Sequence, residues 1–178
     1  MHNGSVINRK DNMAPDSPLP DGVARVAGLL HDLGHPHPIV MLPTTGKTSA
    51  EAAANLGCHV AEIAKSIVFK RMSDDAAVMV IASGADRIDE ARVAAIAGPI
   101  GKADARFVKE KIGYAIGGVC PIGHAQPSLI LIDRKLLAFD AVWAAAGHPH
   151  AVFKLSPTQL QAMTGAPVVD VAQDVPAQ

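Results

Sequence analysis

Lys65 stands at the head of an apolar, β-branched run, AKSIVFK, where a cation is out of keeping with its neighbours. Two readings fit it. The aliphatic stem can lie along a sheet while the ammonium reaches water. Alternatively, the ammonium faces a pocket, where partial desolvation lets it hold a carbonyl or phosphate oxygen, or lose its proton and act as a base. A second concentration of unusual residues is YAIGGVCPIGH, residues 114–124, in which Gly117, Gly118 and Gly123 surround Pro121. It lacks the G-x-G-x-x-G spacing of a dinucleotide site, and no Gly-Lys-Ser/Thr follows to make a P-loop. It reads either as a wide turn or bulge, or as a loop whose missing Cβ atoms let backbone N–H groups approach a ligand and stabilise an oxyanion.

The histidines raise a metal hypothesis. His35/His37, His148/His150 and Cys120/His124 each bring two ligand types together. The spacings are poor ones, with no C-x-x-C pair and no H-E-x-x-H helix, and proline between two histidines marks a turn. Cys120 as a nucleophile would need an activating base, which His124 in the same loop would have to supply. The alternative is a small buried cysteine. The reading therefore assigns no metal and no cofactor.

These residues must be positioned by a mixture of helices and strands. Val23, Val26, Leu29, Leu30 and Leu33 share one face of a helix over 22–33, stopped by Gly34 and the prolines after it. A short strand is expected over Ile39–Leu42. TSAEAAANLG, 48–57, is a helix with a Thr48/Glu51 capping box and a terminal Gly57. Lys65–Arg71 and Ala76–Ser83 read as strands joined by a Ser-Asp-Asp turn. Helices near 89–97 and 103–112 follow. SLILID, 128–133, is a buried strand. AVWAAAG and AVFKLS read as a hairpin about Gly147-His148-Pro149-His150. A last helix opens with the capping box Ser156-Pro157-Thr158-Gln159 and ends at Gly165, before a strand over 167–171. The mixed order of elements favours an α+β fold around a mixed sheet.

Bulk properties narrow the function classes. With 178 residues the chain is long enough for one domain with a real core, and 49% hydrophobic with 19% charged residues reads as globular. Aromatics are 3% of the chain, too few for the stacking platforms of single-stranded RNA readers. A net charge of −1 argues against a broad phosphate-binding surface. Two cysteines make no disulfide framework, and a reducing cytoplasm without membrane spans is the expected setting. Residues 1–21 read as a disordered extension, 22–172 as the domain and 173–178 as a flexible tail.

Taken in order, T-x-x-E-A-A-A-x-L-G, A-K-S-I-V-F-K, G-G-V-C-P-I-G-H and A-A-G-H-P-H make this chain resemble the YbaK/aminoacyl-tRNA deacylase family, free-standing relatives of the bacterial prolyl-tRNA synthetase editing domain. The resemblance covers roughly residues 22–172. It implies a mixed, partly closed β-sheet surrounded by helices. It also implies metal-independent hydrolysis, in trans, of the ester of a mischarged aminoacyl-tRNA, with tRNA-Pro carrying a small wrong amino acid as the leading substrate. The family's essential lysine falls on Lys65, and the residue after it is Ser66. The substrate loop falls on Gly117, Gly118, Pro121 and Gly123, and a second pocket loop on Gly147, His148 and Pro149. The implied partners are the acceptor end of aminoacyl-tRNA and, beyond it, prolyl-tRNA synthetase or elongation machinery. The competing readings are a non-catalytic aminoacyl-tRNA or nucleotide binding module, a metal-dependent hydrolase, and an interaction subunit that kept the fold without the chemistry.

Overall fold

A computed structural model describes residues 19–174. The extension expected over 1–21 and the tail over 173–178 lie outside the described residues, apart from 19–21 and 173–174. Asp21 already opens the first helix, Gln173 donates its N–H to the Arg87 carbonyl, and Arg92 holds the Asp174 carboxylate at 2.9 Å.

The most apolar run of the chain sets the centre. Strand β3 (Ala77–Ser83) is buried along its whole length. Successive side chains of a strand point to opposite faces. Ala77, Met79 and Ile81 therefore enter the larger core cluster, while Val78, Val80 and Ala82 enter a smaller one behind the sheet. Each fully buried Val, Ile or Met contributes about 1.5–3 kcal/mol. β2 (Ala64–Arg71) pairs antiparallel along one edge of β3 and β5 (Ser128–Asp133) runs parallel along the other. β4 (Ile100–Lys102) and β8 (Val168–Val169) complete a mixed five-stranded sheet in the order β4-β2-β3-β5-β8. A second, antiparallel sheet has the order β1-β7-β6, from β1 (Ile39–Met41), β7 (Ala151–Leu155) and β6 (Val142–Ala145). The two sheets share the larger core cluster, and among the described residues one isolated β-bridge, Ile63 to Trp143, links their edges, so the barrel they sketch is only partly closed. Among the described residues five α-helices, α1 (Asp21–Asp32), α2 (Ser49–Leu56), α3 (Glu90–Ala97), α4 (Ala105–Lys111) and α5 (Pro157–Thr164), surround them. This is the expected α+β fold.

Local signals placed most of these elements. Thr48 and Glu51 form the reciprocal capping box of α2, and Gly57 closes it in the left-handed conformation. Ser156 and Gln159 do the same for α5. The strand β4 was not expected. Its three residues, one of them glycine, are too short to show a period, and the helix expected over 103–112 begins only at Ala105. That short strand matters, because it pairs with β2 only at Phe69–Arg71. The first half of β2 has β3 on one side and no strand on the other.

Candidate active site

A cavity of about 380 Å³ opens where β2 lacks its second neighbour, at the seam between the two sheets. Five consecutive residues, 64–68, border it, as an open strand edge allows. Trp143 and Ala145 of β6, Val152 of β7, and Val108, Val119 and Ala103 line it as well. The volume lies near the small end of the range for small-molecule sites.

Lys65 and Ser66 sit side by side on this edge. Lys65 lies opposite Ala82 on β3 and is half-buried. Its ammonium donates to the main-chain carbonyl of Asp86, in the turn that follows β3. An ammonium carries three N–H donors, so others remain for a ligand. Burial pulls its pKa below the ordinary lysine value, Asp86 opposes that shift, and Arg87 adds to it. Ser66 points to the opposite face, with Ala64 and Val68. Its Oγ is buried and makes no hydrogen bond among the described residues. A buried hydroxyl left so costs about 1–3 kcal/mol, which a ligand accepting or donating there would recover.

The glycine loop contributes unequally. Gly117 lines the cavity. Gly118 lies behind it, with the His148 backbone so close that a Cβ on Gly118 would meet the His148 N and Cα at 2.6 Å. The two pocket loops expected from the sequence are thus in direct contact. Pro121 and Gly123 turn away and border a separate, shallower depression beside α5. Gly147 packs on the backbone of Gly22 in α1. His148 and Pro149 do not border the cavity, but the His148 loop is stitched to the segment before α2. Leu42 N–H donates to the His150 carbonyl at 2.6 Å and Gly46 N–H to the Pro149 carbonyl at 2.7 Å. The His148 Nδ1 accepts from the His150 N–H at 3.1 Å.

The structure places the cysteine and histidine candidates as follows. Cys120 is fully buried, and burial pushes its thiol up to about 12, so a thiolate nucleophile is not available there. Among the described residues no three His, Cys, Asp or Glu side chains come together as a metal site would need. His124 is instead a pin for the glycine loop. It lies 2.9 Å from the Cys120 carbonyl through Nε2 and 2.7 Å from Ser128 Oγ through Nδ1. A carbonyl only accepts, so Nε2 carries the proton and Nδ1 accepts from the serine. Sequence reasoning missed Lys47, which lines the cavity from the loop before α2. It stands in GKT ahead of a capping box, a stretch without periodicity, and only the fold brings it beside Gly117.

Comparison with known proteins fits this geometry. Residues 44–163 match the family described as the aminoacyl-tRNA editing domain. The chain belongs to that family. Protein YwhH of Bacillus subtilis (strain 168), described as uncharacterized, is 31% identical over 133 residues, covering 74% of this chain and 84% of that one. Among solved structures, a candidate trans-editing enzyme for prolyl tRNA synthetase superposes with a TM-score of 0.81 at 37% identity, covering 88% of this chain and 100% of the other. Hypothetical protein APE2540 gives a TM-score of 0.78 at 30% identity, covering 84% of this chain and 99% of the other. The matched span of this editing domain contains Lys65, Ser66, the whole glycine loop and His148. No helix among its described residues is long and apolar enough to cross a membrane.

The imidazoles of the editing domain give it an acid-sensitive edge. Burial holds His124 below the ordinary value, with Arg25 adding to the shift. Burial and then His150 do the same for His148. As pH falls through about 6.5 the unfolded chain takes up protons at both positions before the folded protein does. The stability they represent is therefore present in full above the unfolded pKa and is lost as pH falls through the folded ones. Thermal unfolding followed from about pH 7.5 to about pH 5 should show a falling Tm, with a shallower fall in His124→Gln. A flat wild-type profile would show that these rings do not couple to folding.

Proposed function

We propose that this protein hydrolyses, in trans, the ester joining a small, wrongly attached amino acid to the 3′ end of a tRNA, with tRNA-Pro as the cognate tRNA. The observation that carries this reading is the convergence of Lys65, Ser66 and Gly117 on one mainly apolar cavity. The family supports an aminoacyl-tRNA substrate. The description of a solved relative as a candidate trans-editing enzyme for prolyl tRNA synthetase supports the choice of tRNA.

The chemistry follows from what lines the cavity. The amino-acid side chain enters among Val68, Val108, Val119 and Val152. The ester carbonyl rests at the edge of β2, within reach of the Lys65 ammonium and the Ser66 hydroxyl. Water attacks the carbonyl carbon, and the oxyanion that forms is stabilised by these fixed donors and by backbone N–H groups of the glycine loop. The bond from that carbon to the ribose oxygen then breaks. The ribose oxygen takes up a proton, and free amino acid and uncharged tRNA leave. The described residues that line the cavity include no carboxylate and no histidine. The neighbouring ribose hydroxyl of the substrate is then the group that activates the water. An ester is labile enough for positioning and charge stabilisation to suffice. A pocket of limited volume acts as a second sieve, needed because one methylene is worth only about 1–3 kcal/mol of discrimination in a synthetase.

The test is a deacylation panel. tRNA-Pro charged with Pro, Ala, Cys, Ser, Thr or 2-aminobutyrate, and each amino acid on its own tRNA, are incubated with wild type and Lys65→Ala, with and without chelator. Rapid loss of one mischarged species, dependent on Lys65 and indifferent to chelator, is the expected result. Loss of none by folded protein would favour the binding-module reading, and chelator sensitivity would overturn the metal-free mechanism.

A further inference from the structure

The cavity has two lysines on its border, and they are placed differently. Lys65 is half-buried on a strand, with its ammonium tied to the Asp86 carbonyl. Lys47 is exposed at the rim. Among the described residues its ammonium makes no ion pair and no hydrogen bond, and only its backbone N–H is engaged, by Thr45 Oγ1 at 3.2 Å. Its stem packs on the glycine loop. A Cβ on Gly117 would lie 3.0 Å from the Lys47 Cγ and 3.4 Å from its Cα, so the lysine leans on the bare α-carbon of the glycine loop. Gly117 has φ +93°, which favours glycine at the position that receives this stem. The carboxylate next along the chain, Glu51, is turned to the Thr48 N–H in the capping box. A positive charge held at the mouth of an apolar cavity, with no acidic partner, is placed to receive an anion.

The substrate class just proposed supplies one in the right place. When an aminoacyl group fills the cavity, the ribose that carries it occupies the mouth, and the nearest anion is the phosphate on that same nucleotide. We infer that Lys47 is a binding residue for the 5′-phosphate of the tRNA's terminal nucleotide, holding the ribose so that the ester lies against the edge of β2. This inference rests on the aminoacyl-tRNA reading for its ligand, but it can be tested without turnover. Lys65 and Lys47 then divide the work. The tethered lysine faces the reacting carbonyl, and the untethered one grips the backbone.

The experiment is binding of adenosine 5′-monophosphate and of adenosine, each alone, to wild type, Lys47→Met and Lys47→Arg at low ionic strength, followed by NMR titration. Wild type should bind the monophosphate about tenfold more tightly than the nucleoside, as a charge-assisted contact to one phosphate implies. Lys47→Met should abolish that preference without weakening adenosine, and Lys47→Arg should restore most of it. Equal binding of the two ligands by wild type, binding of neither, or a Lys47→Met variant that keeps the preference would overturn the inference. Steady-state deacylation separates it from the catalytic reading. Lys47→Met should raise KM for charged tRNA about tenfold, leave kcat little altered, and flatten the log–log salt dependence by roughly one phosphate contact. A preference for the monophosphate without any deacylation keeps this inference and sinks the hydrolase. Deacylation with unchanged KM and salt slope in Lys47→Met does the reverse.

Discussion

Lys65→Ala is expected to lower the rate of ester hydrolysis about 10²–10³-fold, the usual cost of removing one preorganised donor from a developing oxyanion. The loss should fall on kcat more than on KM, because the ammonium is already fixed before substrate arrives. Its anchor is the main-chain oxygen of Asp86. Replacing the Asp86 side chain therefore leaves the anchor in place and should cost far less than replacing the lysine. Lys65→Arg should not rescue. The planar guanidinium cannot occupy the compact position of an ammonium between the Asp86 carbonyl and the edge of β2. Single-turnover hydrolysis with the three variants, alongside a check of folding by circular dichroism, decides the matter. A Lys65→Ala protein within a few-fold of wild type would remove the lysine from the proposed chemistry.

The second large effect is expected at a residue that does not border the cavity at all. A Cβ on Gly118 would lie 2.6 Å from the His148 N and Cα and 2.7 Å from its carbonyl carbon. These are main-chain atoms in a loop stitched to residues 42–46, so they cannot swing aside as a side chain would. Gly118→Ala must push the two loops apart, at a cost of about 1–3 kcal/mol of stability, typical of overpacking. Gly117 moves with its neighbour, and a displacement near 1 Å in a positioned site can cost about 100-fold in rate. The expected result is a folded protein with a lowered Tm and a rate reduced far beyond what the lost stability explains. A Gly118→Ala variant with normal Tm and normal rate would show that the loops do not need this contact.

How far the sequence led can be judged from particular residues. Elements with a strong local signature were legible. The Thr48/Glu51 and Ser156/Gln159 boxes form as written, and the AVMVIAS run is the buried central strand. The turn around Gly147–His150 does join two antiparallel strands. Lys65 stands out because a cation breaks an apolar run. What escaped depends on contacts between distant segments. Nothing in IGK announces a strand, and without β4 one could not see that half of β2 would be left with a bare edge. Lys47 lies in a loop without period, and its place beside Gly117 is a product of the fold. Direction along a loop was equally hidden. Gly117 and Gly123 occupy one short stretch, yet the first faces the cavity and the second packs toward Leu29 and Tyr114.

Helix α1 lies ahead of the residues that match the family, yet both the glycine loop and the Gly147 turn lean on it. Gly22 meets Gly147 backbone to backbone, and a Cβ on Gly22 would lie 2.2 Å from the Gly147 carbonyl oxygen. Arg25 donates to the Gly113 carbonyl at 3.1 Å and covers the Tyr114 ring at 4.2 Å, at the entrance to the glycine loop. The smallest transplantable unit is therefore longer than the matched segment, residues 44–163. A graft of residues 44–163 onto another protein would carry every cavity residue named above and leave behind the helix on which the glycine loop and the Gly147 turn pack.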